Sequence, residues 1–299
     1  MSMLRRLMLV LLFPLCANGA ILEHDRFRVH HDASTAALAR ETAQTLTDAR
    51  IAFADRFPDM PDIVDVYICE DQESFQQFAG PLTAASIVGV ANPDKDVIAL
   101  KSPSFAPPQS DYIGTVRHEL VHILLHHNVN TDNVPRWLNE GIAMTVSGEN
   151  RWSSRSHVAF MYLNGRTLSY RSLEASFLEP GQELEFGDAY AQAMSMTQYL
   201  QKQLGEEQFW EFVYSLNDRS FGVAVEAELG LIPHDFALAW AASLGWTALV
   251  FSLVSGVSLF QIMALLTIAA YLRRRRQAQA RMAAWAVAES KEGAVSAET

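Results

Sequence analysis

Apolar and polar residues follow two patterns along the chain. The first, short runs rich in β-branched and aromatic residues, predicts strands. Runs rich in β-branched and aromatic residues predict strands at 26–31, 63–69, 87–91 and 96–100. The last two strands flank Asn92-Pro93-Asp94-Lys95, a turn sequence that predicts a hairpin. Helical spacing of apolar residues predicts one long helix at 33–57, and Asp71 is placed to cap a short helix that ends at Phe78.

The second pattern, with apolar residues three and four positions apart, is helical and dominates the rest of the chain. It predicts helices at 112–127, 135–147, 190–204 and 206–216. The polar stretch 128–133 predicts a turn between the first two of these helices. A chain that runs through its strands first and its helices afterwards is typical of the α+β class. We therefore predict one α+β domain with N-terminal strands and C-terminal helices.

Residues 1–20 have the pattern of a signal peptide. Arg5 and Arg6 precede the apolar run 7–15, and the small or polar residues 17–20 follow it. Cleavage near residue 20 would release a chain that begins at about residue 21. The same pattern also fits an uncleaved N-terminal anchor.

Residues 246–272 contain no charged side chain and predict a transmembrane helix. A helix of about 20 apolar residues crosses the roughly 30 Å of hydrocarbon in a bilayer. Four arginines, 273–276, follow at once, so the positive-inside rule places the tail 273–299 in the cytoplasm. The domain 21–245 would then face the periplasm or the extracellular medium. A buried core helix is the alternative, although the length of the run and the arginines disfavour it.

The charge of the chain excludes one class of partner and leaves others open. Of the formal net charge of −11, residues 1–20 contribute +2 and 246–299 contribute +3, which leaves −16 on 21–245. Nucleic-acid binding requires clustered Lys and Arg, so we expect no nucleic-acid partner. Only Cys69 lies outside the predicted signal peptide, which excludes a disulfide within the domain. Nothing in the sequence specifies an oligomeric state.

The motif His118-Glu119-Leu120-Val121-His122 carries the candidate chemistry. Its histidines are four residues apart on a predicted helix, so both imidazoles lie on one face and can hold one zinc ion. Glu119 follows the first histidine and can lean over a zinc-bound water. Zinc lowers the pKa of such a water to about 7, and a carboxylate can then take its proton and direct hydroxide at a peptide carbonyl.

The next predicted helix offers a third ligand. A chain that reverses after His127 brings the segment 135–143, which contains Glu140, back past the first helix. Glu140 has apolar neighbours on both sides, which disfavours its alternative role as a solvated surface charge. We therefore expect His118, His122 and Glu140 to bind one Zn²⁺ per chain and to leave the fourth position open for water.

The sequences HELVH and WLNEGIA resemble those of the gluzincin metallopeptidases, especially the peptidase MA-like group. The resemblance implies a gluzincin-like (thermolysin-like) fold and a zinc-dependent hydrolase of peptide bonds with Glu119 as general base. It also implies an oxyanion-stabilising tyrosine on the helix after the metal site, and the matching residue is Tyr190. Tyr190 is equally well explained as a core aromatic residue. We predict a membrane-anchored metallopeptidase that acts on a peptide or protein.

Three features depart from that family. The 17 residues between His122 and Glu140 are slightly fewer than in the best-known members. Met144 stands where thermolysin-like enzymes place an aspartate that orients a ligand histidine, so the support of the ligands is unassigned. The segment 89–92 lacks the glutamate with which aminopeptidases bind a free amine, which argues against aminopeptidase activity. The same segment predicts an edge strand that could pair with an extended peptide.

Two other functions remain open at this point. A non-catalytic binding or assembly module of the cell envelope could retain the zinc fold, although an intact Glu119 has no role in a purely structural site. A third possibility is that the helices carrying these residues bind no metal. His126 lies one turn beyond His122 on the same face and His127 is beside it, so both compete as ligands, although surface positions at the helix C-terminus, where positive charge is favoured, explain them better. The histidines that lack paired spacing are expected to be structural or exposed, and they are His24, His30, His31, His157 and His234.

Overall fold

The computed structural model describes most of the chain between residues 19 and 281. The described residues are 19–80, 87–108, 110–148, 151–177, 183–257, 263–279 and 281. The predicted signal peptide therefore lies outside them, apart from its last two residues, and so does most of the predicted cytoplasmic tail. By their contacts the residues divide into two compact units, Met1–Ser243 and Leu244–Thr299.

A five-stranded mixed sheet forms the N-terminal part of the first unit. Its strands are β1 Ala20–His24, β2 Phe27–His31, β3 Val64–Cys69, β4 Gly89–Asn92 and β5 Val97–Lys101. The spatial order is β1-β2-β3-β5-β4, with β2, β3 and β5 parallel and with β1 and β4 antiparallel to their neighbours. The predicted β4–β5 hairpin is confirmed, and β4 is an edge strand of the sheet.

Local sequence explains the central strand and the helices beside it. Val64, Val66 and Ile68 alternate with less buried residues along β3 and face the core. The helix α1 Ala36–Phe53 packs against the sheet and ends four residues before the predicted limit of 57. The helix α2 Gln72–Ala79 begins as predicted, because the Asp71 side chain accepts a hydrogen bond of 2.8 Å from the Ser74 amide.

Helices make up the remainder of the described chain, and the α+β prediction is confirmed at this level. They are α3 Tyr112–Asn128, α4 Arg136–Ser147, α5 Arg151–Leu163, α6 Tyr170–Ser176, α7 Glu183–Leu204, α8 Glu206–Ser215, α9 Phe221–Leu229 and α10 Pro233–Val257. The predicted helices correspond to α3, α4, the later part of α7 and α8. The periodicity did not predict β1, α5, α6 or α9. Of these, β1 and α6 have only five and seven residues, and such short elements depend on tertiary packing.

The second apolar run is described only in part. The helix α10 covers its beginning, a further helical segment covers 263–279, and residues 258–262 lie outside the described residues. In the part of the chain that the structure describes, no single helix is both long and apolar enough to cross a bilayer. The predicted span 246–272 therefore stays a prediction.

The helices α4 and α7 approach each other closely at Gly141, the residue after the candidate ligand Glu140. A Cβ atom at Gly141 would overlap Thr197 Oγ1 and lie 2.7 Å from the Ala193 carbonyl oxygen. Real Cβ atoms do not approach a backbone oxygen that closely, so a side chain here would force the two helices apart. Glycine at this position lets α7 lie directly behind the metal-binding face of α4.

Replacement of Gly141 by alanine should therefore destabilise the protein by about 1–3 kcal/mol, the usual cost of overpacking a core. The measurement is chemical denaturation of the full chain. Gly187→Ala is the matched control, since Gly187 is exposed in α7 and a Cβ atom there would have nothing within 4 Å. Alanine is the better helix former, so the control should gain up to about 1 kcal/mol. Equal stabilities of the two variants would contradict the close packing of α4 on α7.

Candidate active site

The helix α3 presents the two predicted histidine ligands on one face. It begins at Asp111, whose side chain accepts a hydrogen bond of 2.9 Å from the Gly114 amide. His118 and His122 are one helical turn apart, and their Nε2 atoms are 3.0 Å from each other. The two rings meet edge to face, with centroids 4.8 Å apart. Both Nε2 atoms therefore converge on one point beside the helix, as the spacing predicts.

The helix α4 brings Glu140 to the same point. Glu140 Oε2 lies 3.3 Å from His118 Nε2 and 3.6 Å from His122 Nε2. A tetrahedral zinc ion with bonds of about 2.0–2.1 Å separates its ligand atoms by about 3.3–3.4 Å, so this triangle fits zinc closely. Oε2 is buried and has no hydrogen-bond partner, an arrangement that a bound cation would satisfy. Among the described residues, these three form the one group able to hold a metal ion.

The turn between α3 and α4 is fixed by asparagine side chains. Asn217, which follows α8, accepts a hydrogen bond of 2.8 Å from the Asn130 amide and donates one of 3.1 Å to the Asn128 carbonyl. Asn133 donates a hydrogen bond of 2.8 Å to the Leu216 carbonyl. This anchoring holds the 17-residue connection that returns Glu140 to the histidines.

Asn139 supports one of the ligand histidines, a contact that the sequence did not reveal. Its Oδ1 atom lies 2.6 Å from His122 Nδ1, so Nδ1 donates this hydrogen bond and leaves Nε2 with its lone pair toward the metal position. Met144, at the position of the family's aspartate, is buried and apolar. The sequence analysis did not identify the residue that orients a ligand histidine. In the structure this residue is Asn139, directly before Glu140. Adjacency to a ligand was the only signal that could have found it.

Substitution of Asn139 by alanine should lower zinc affinity by about 10- to 100-fold, the usual effect of losing a partner of a metal-binding histidine. The measurement is competition for zinc with a chromophoric chelator. Asn139→Asp keeps an acceptor oxygen at this position and should retain an affinity near that of the wild type. An alanine variant that binds zinc as tightly as the wild type would refute a supporting role for Asn139.

Glu119 lies buried between the histidines and the edge strand β4. The backbone amide of Ala91 donates a hydrogen bond to its carboxylate. A Cβ atom at Gly89 would lie 2.8 Å from Glu119 Oε1 and 2.6 Å from Thr115 Cγ2. Gly89 is therefore the residue that lets the strand approach the carboxylate. Glu119 is outside the ligand group, so its carboxylate is available for proton transfer.

Burial and charge set the protonation of the site. Burial raises the pKa of Glu119, more than the nearby His118, His122 and Ala91 amide lower it. Burial would also raise the pKa of Glu140, but the two imidazoles beside it lower that pKa well below its usual range. Burial disfavours the charged form of His122, yet the adjacent Glu140 raises its pKa on balance. Zinc binding requires the deprotonated imidazole, so zinc and protons compete for this site.

Tyr190 lies on the wall of the cavity that contains the three ligands. The cavity measures about 1060 Å³ and also contains Glu119 and the β4 residues 89–91. Tyr190 is half-buried on α7, and its ring meets Phe177 edge to face at 5.3 Å. Two residues earlier, buried Asp188 accepts hydrogen bonds of 2.6 Å from His157 and Arg166 and ties α7 to its neighbours. Tyr190 thus lines the same cavity as the three ligands, and its role in the site stays a prediction.

Three other histidines each lie beside a single aspartate. His127 Nε2 lies 2.6 Å from Asp96, His126 Nε2 lies 3.6 Å from Asp94, and His30 Nε2 lies 2.7 Å from Asp65. None of these pairs includes a third metal-binding side chain among the described residues. Their structural role agrees with the expectation from sequence.

Comparisons with known proteins give one family and several solved structures. One similar structure is an M1 zinc metallopeptidase mutant from Deinococcus radiodurans bound to a Tyr-Ser-Ala substrate, with 15% identity and a TM-score of 0.47 over 75% of this chain and 51% of that chain. Another is a two-domain M1 zinc metallopeptidase mutant bound to L-arginine, with 15% identity and a TM-score of 0.46 over the same shares. The chain thus spans about half the length of these structures. No curated protein matches it.

The family comparison covers the metal ligands and the helices around them. Residues 47–244, more than half of the chain, match the sequence model of the peptidase MA superfamily. This range contains α3, α4 and α7 and therefore every residue of the site described above. The chain belongs to the peptidase MA superfamily.

Proposed function

We propose that the protein is a zinc-dependent metallopeptidase that hydrolyses peptide bonds, with Glu119 as the general base. The observation that carries the proposal is the triangle of His118, His122 and Glu140 atoms, 3.0–3.6 Å apart, with a buried non-ligand carboxylate beside it. A structural zinc site is closed by four protein ligands and has no need of a base. Three ligands and a base instead favour hydrolysis.

Each residue of the site has a distinct role in this proposal. When bound, zinc supplies a Lewis acid and lowers the pKa of a coordinated water to about 7. Glu119 takes the proton of the attacking water and passes it to the departing amine, a role that suits a carboxylate whose pKa burial has raised. The Tyr190 phenol donates a hydrogen bond to the scissile carbonyl oxygen as it gains negative charge.

The edge strand β4 is the proposed docking element for the peptide. Within the described sheet, β4 pairs only with β5, so no strand of that sheet lies on its outer edge. An extended peptide on this edge would run past Glu119, because the backbone of residues 89–91 already touches that carboxylate. Main-chain hydrogen bonds would then position the scissile bond, and the cavity would receive its side chains.

We also infer a membrane anchor, with the peptidase domain outside the cytoplasm and the C-terminus inside. Its support is the uncharged run 246–272, the arginines that follow it and the exposure of large apolar side chains within 263–272. The expected result is that the full chain stays with membranes after alkaline carbonate extraction. An external protease should spare only the C-terminal tail, and release of the chain by carbonate would refute the anchor.

The test of the catalytic proposal uses the full chain in detergent. We expect about one zinc per chain by elemental analysis and cleavage of members of an internally quenched peptide library. A chelator should abolish cleavage, and added zinc should restore it. A chain that binds one zinc and cleaves no peptide would favour the non-catalytic envelope module, whereas a chain without zinc would refute both.

A further inference from the structure

One positively charged side chain lies on the wall of the active-site cavity. Among the described residues that form this wall, Arg136 is the only lysine or arginine. Arg136 is also exposed to solvent. The other charged residues of this described wall are acidic or belong to the zinc site, so Arg136 is the one fixed positive charge of the described wall.

The backbone at Arg136 is held rigidly with respect to the zinc ligands. Arg136 is the first residue of α4, and the Glu174 carboxylate accepts hydrogen bonds of 3.3 and 3.2 Å from the amides of Arg136 and Trp137. Arg136 and Glu140 are four residues apart on the same helix and therefore lie on one face, with Cβ atoms about 6 Å apart. Arg136 thus lies one helical turn from a metal ligand on the same helix.

The charge of Arg136 is not explained by the stability of the fold. Its guanidinium has neither an ion pair nor a hydrogen bond within the part of the chain that the structure describes. The N-terminus of a helix disfavours positive charge, and α4 carries Arg136 at that end. Glu174 already accepts two backbone hydrogen bonds, and Asp132, also on the cavity wall, is exposed. The guanidinium therefore remains available to a ligand.

We propose that Arg136 binds a carboxylate of the peptide substrate, either the C-terminal carboxylate or an Asp or Glu side chain. This inference rests on the proposed peptidase function and defines the substrate class of that site. A guanidinium presents paired N–H donors that match a carboxylate. One helical turn plus the arginine side chain spans one to three residues of extended peptide at about 3.3 Å each. The recognised carboxylate would therefore lie one to three residues from the scissile bond.

The test measures peptide binding without depending on turnover. The full chain carrying Glu119→Gln is loaded with zinc, and fluorescein-labelled alanine-based hexapeptides are titrated by fluorescence anisotropy. One series carries a single Asp or Asn at each position, and a second series has a free or amidated C-terminus. We expect one acidic peptide to bind about 5- to 20-fold more tightly than its neutral counterpart. The series that holds this peptide identifies the source of the carboxylate.

Variants of Arg136 determine whether that preference belongs to this side chain. Arg136→Gln should remove the preference, and Arg136→Glu should reverse it toward a lysine peptide. Arg40→Gln, an exposed arginine of α1 outside the cavity wall, should leave the preference unchanged. A preference that survives Arg136→Gln, equal binding of acidic and neutral peptides, or no binding of any peptide would overturn the inference.

Cleavage assays on the chain with Glu119 intact separate this inference from the proposed function. Hydrolysis of peptides with no dependence on Arg136 would overturn the carboxylate subsite and leave the peptidase proposal standing. Binding that depends on Arg136 without any hydrolysis would support the carboxylate subsite and overturn the peptidase proposal.

Discussion

Replacement of Glu119 by glutamine should abolish peptide hydrolysis and leave zinc in place. Glutamine has nearly the same shape as glutamate, and its side-chain oxygen can still accept the hydrogen bond from the Ala91 amide. It cannot take a proton from water, and the loss of a general base slows hydrolysis by about 10²- to 10⁴-fold. The measurement is kcat/KM on the best library peptide, together with zinc content.

The zinc content of the Glu119→Gln variant should match that of the wild type, because Glu119 is not among the three ligands. Glu211→Gln is the matched control, since Glu211 is an exposed residue of α8 outside the cavity wall. The control should retain both activity and metal. Wild-type hydrolysis by the Glu119→Gln variant would contradict the assignment of the base.

Replacement of Glu140 by glutamine should remove both zinc binding and hydrolysis. Glutamine lacks the negative charge that completes the ligand set, so the affinity should fall by more than the roughly 10- to 100-fold expected for a supporting residue. A ligand at 100 times its Kd stabilises a protein by about 2.7 kcal/mol. Thermal unfolding of the wild type should therefore shift upward with zinc, and this shift should largely disappear in the variant.

The metal-free Glu140→Gln variant should unfold at a lower temperature than the metal-free wild type, so the zinc-induced shift of each protein is measured from its own metal-free form. Glutamine fills the same space but removes the charge beside the two imidazoles, and the loss of one partner of a buried pair is destabilising. A zinc-induced shift of wild-type size in this variant would show that Glu140 is not a ligand. The two substitutions together separate proton transfer from metal holding: Glu119→Gln loses rate alone, whereas Glu140→Gln loses metal and rate.

Local features of the sequence sufficed for the two histidines and the elements that carry them. The period of an α-helix is fixed by backbone geometry, so the spacing of His118 and His122 places them on one face in any fold. Side-chain caps act within three residues, which made the start of α2 at Asp71 predictable. The hairpin of β4 and β5 followed from its turn residues for the same reason.

Contacts between distant segments required the tertiary structure. Asn139 lies 17 residues from His122 in sequence, and only the packing of α4 on α3 makes them partners. Gly89 belongs to a strand, yet its missing side chain matters because β4 passes against Glu119 on α3. The periodicity of a sequence predicts the structure of one segment at a time. It does not predict which segments lie close together in the fold.

The sequence by itself determined the α+β class and the HELVH helix face, because these depend on short-range backbone geometry, and it offered Glu140 as a candidate third ligand. The tertiary structure alone decided that the three ligand atoms lie 3.0–3.6 Å apart, that Asn139 holds His122 and that Arg136 lies on the cavity wall. These features depend on how α3, α4 and α7 pack together. That packing is set by many long-range contacts, Gly141 among them, and no single segment encodes it.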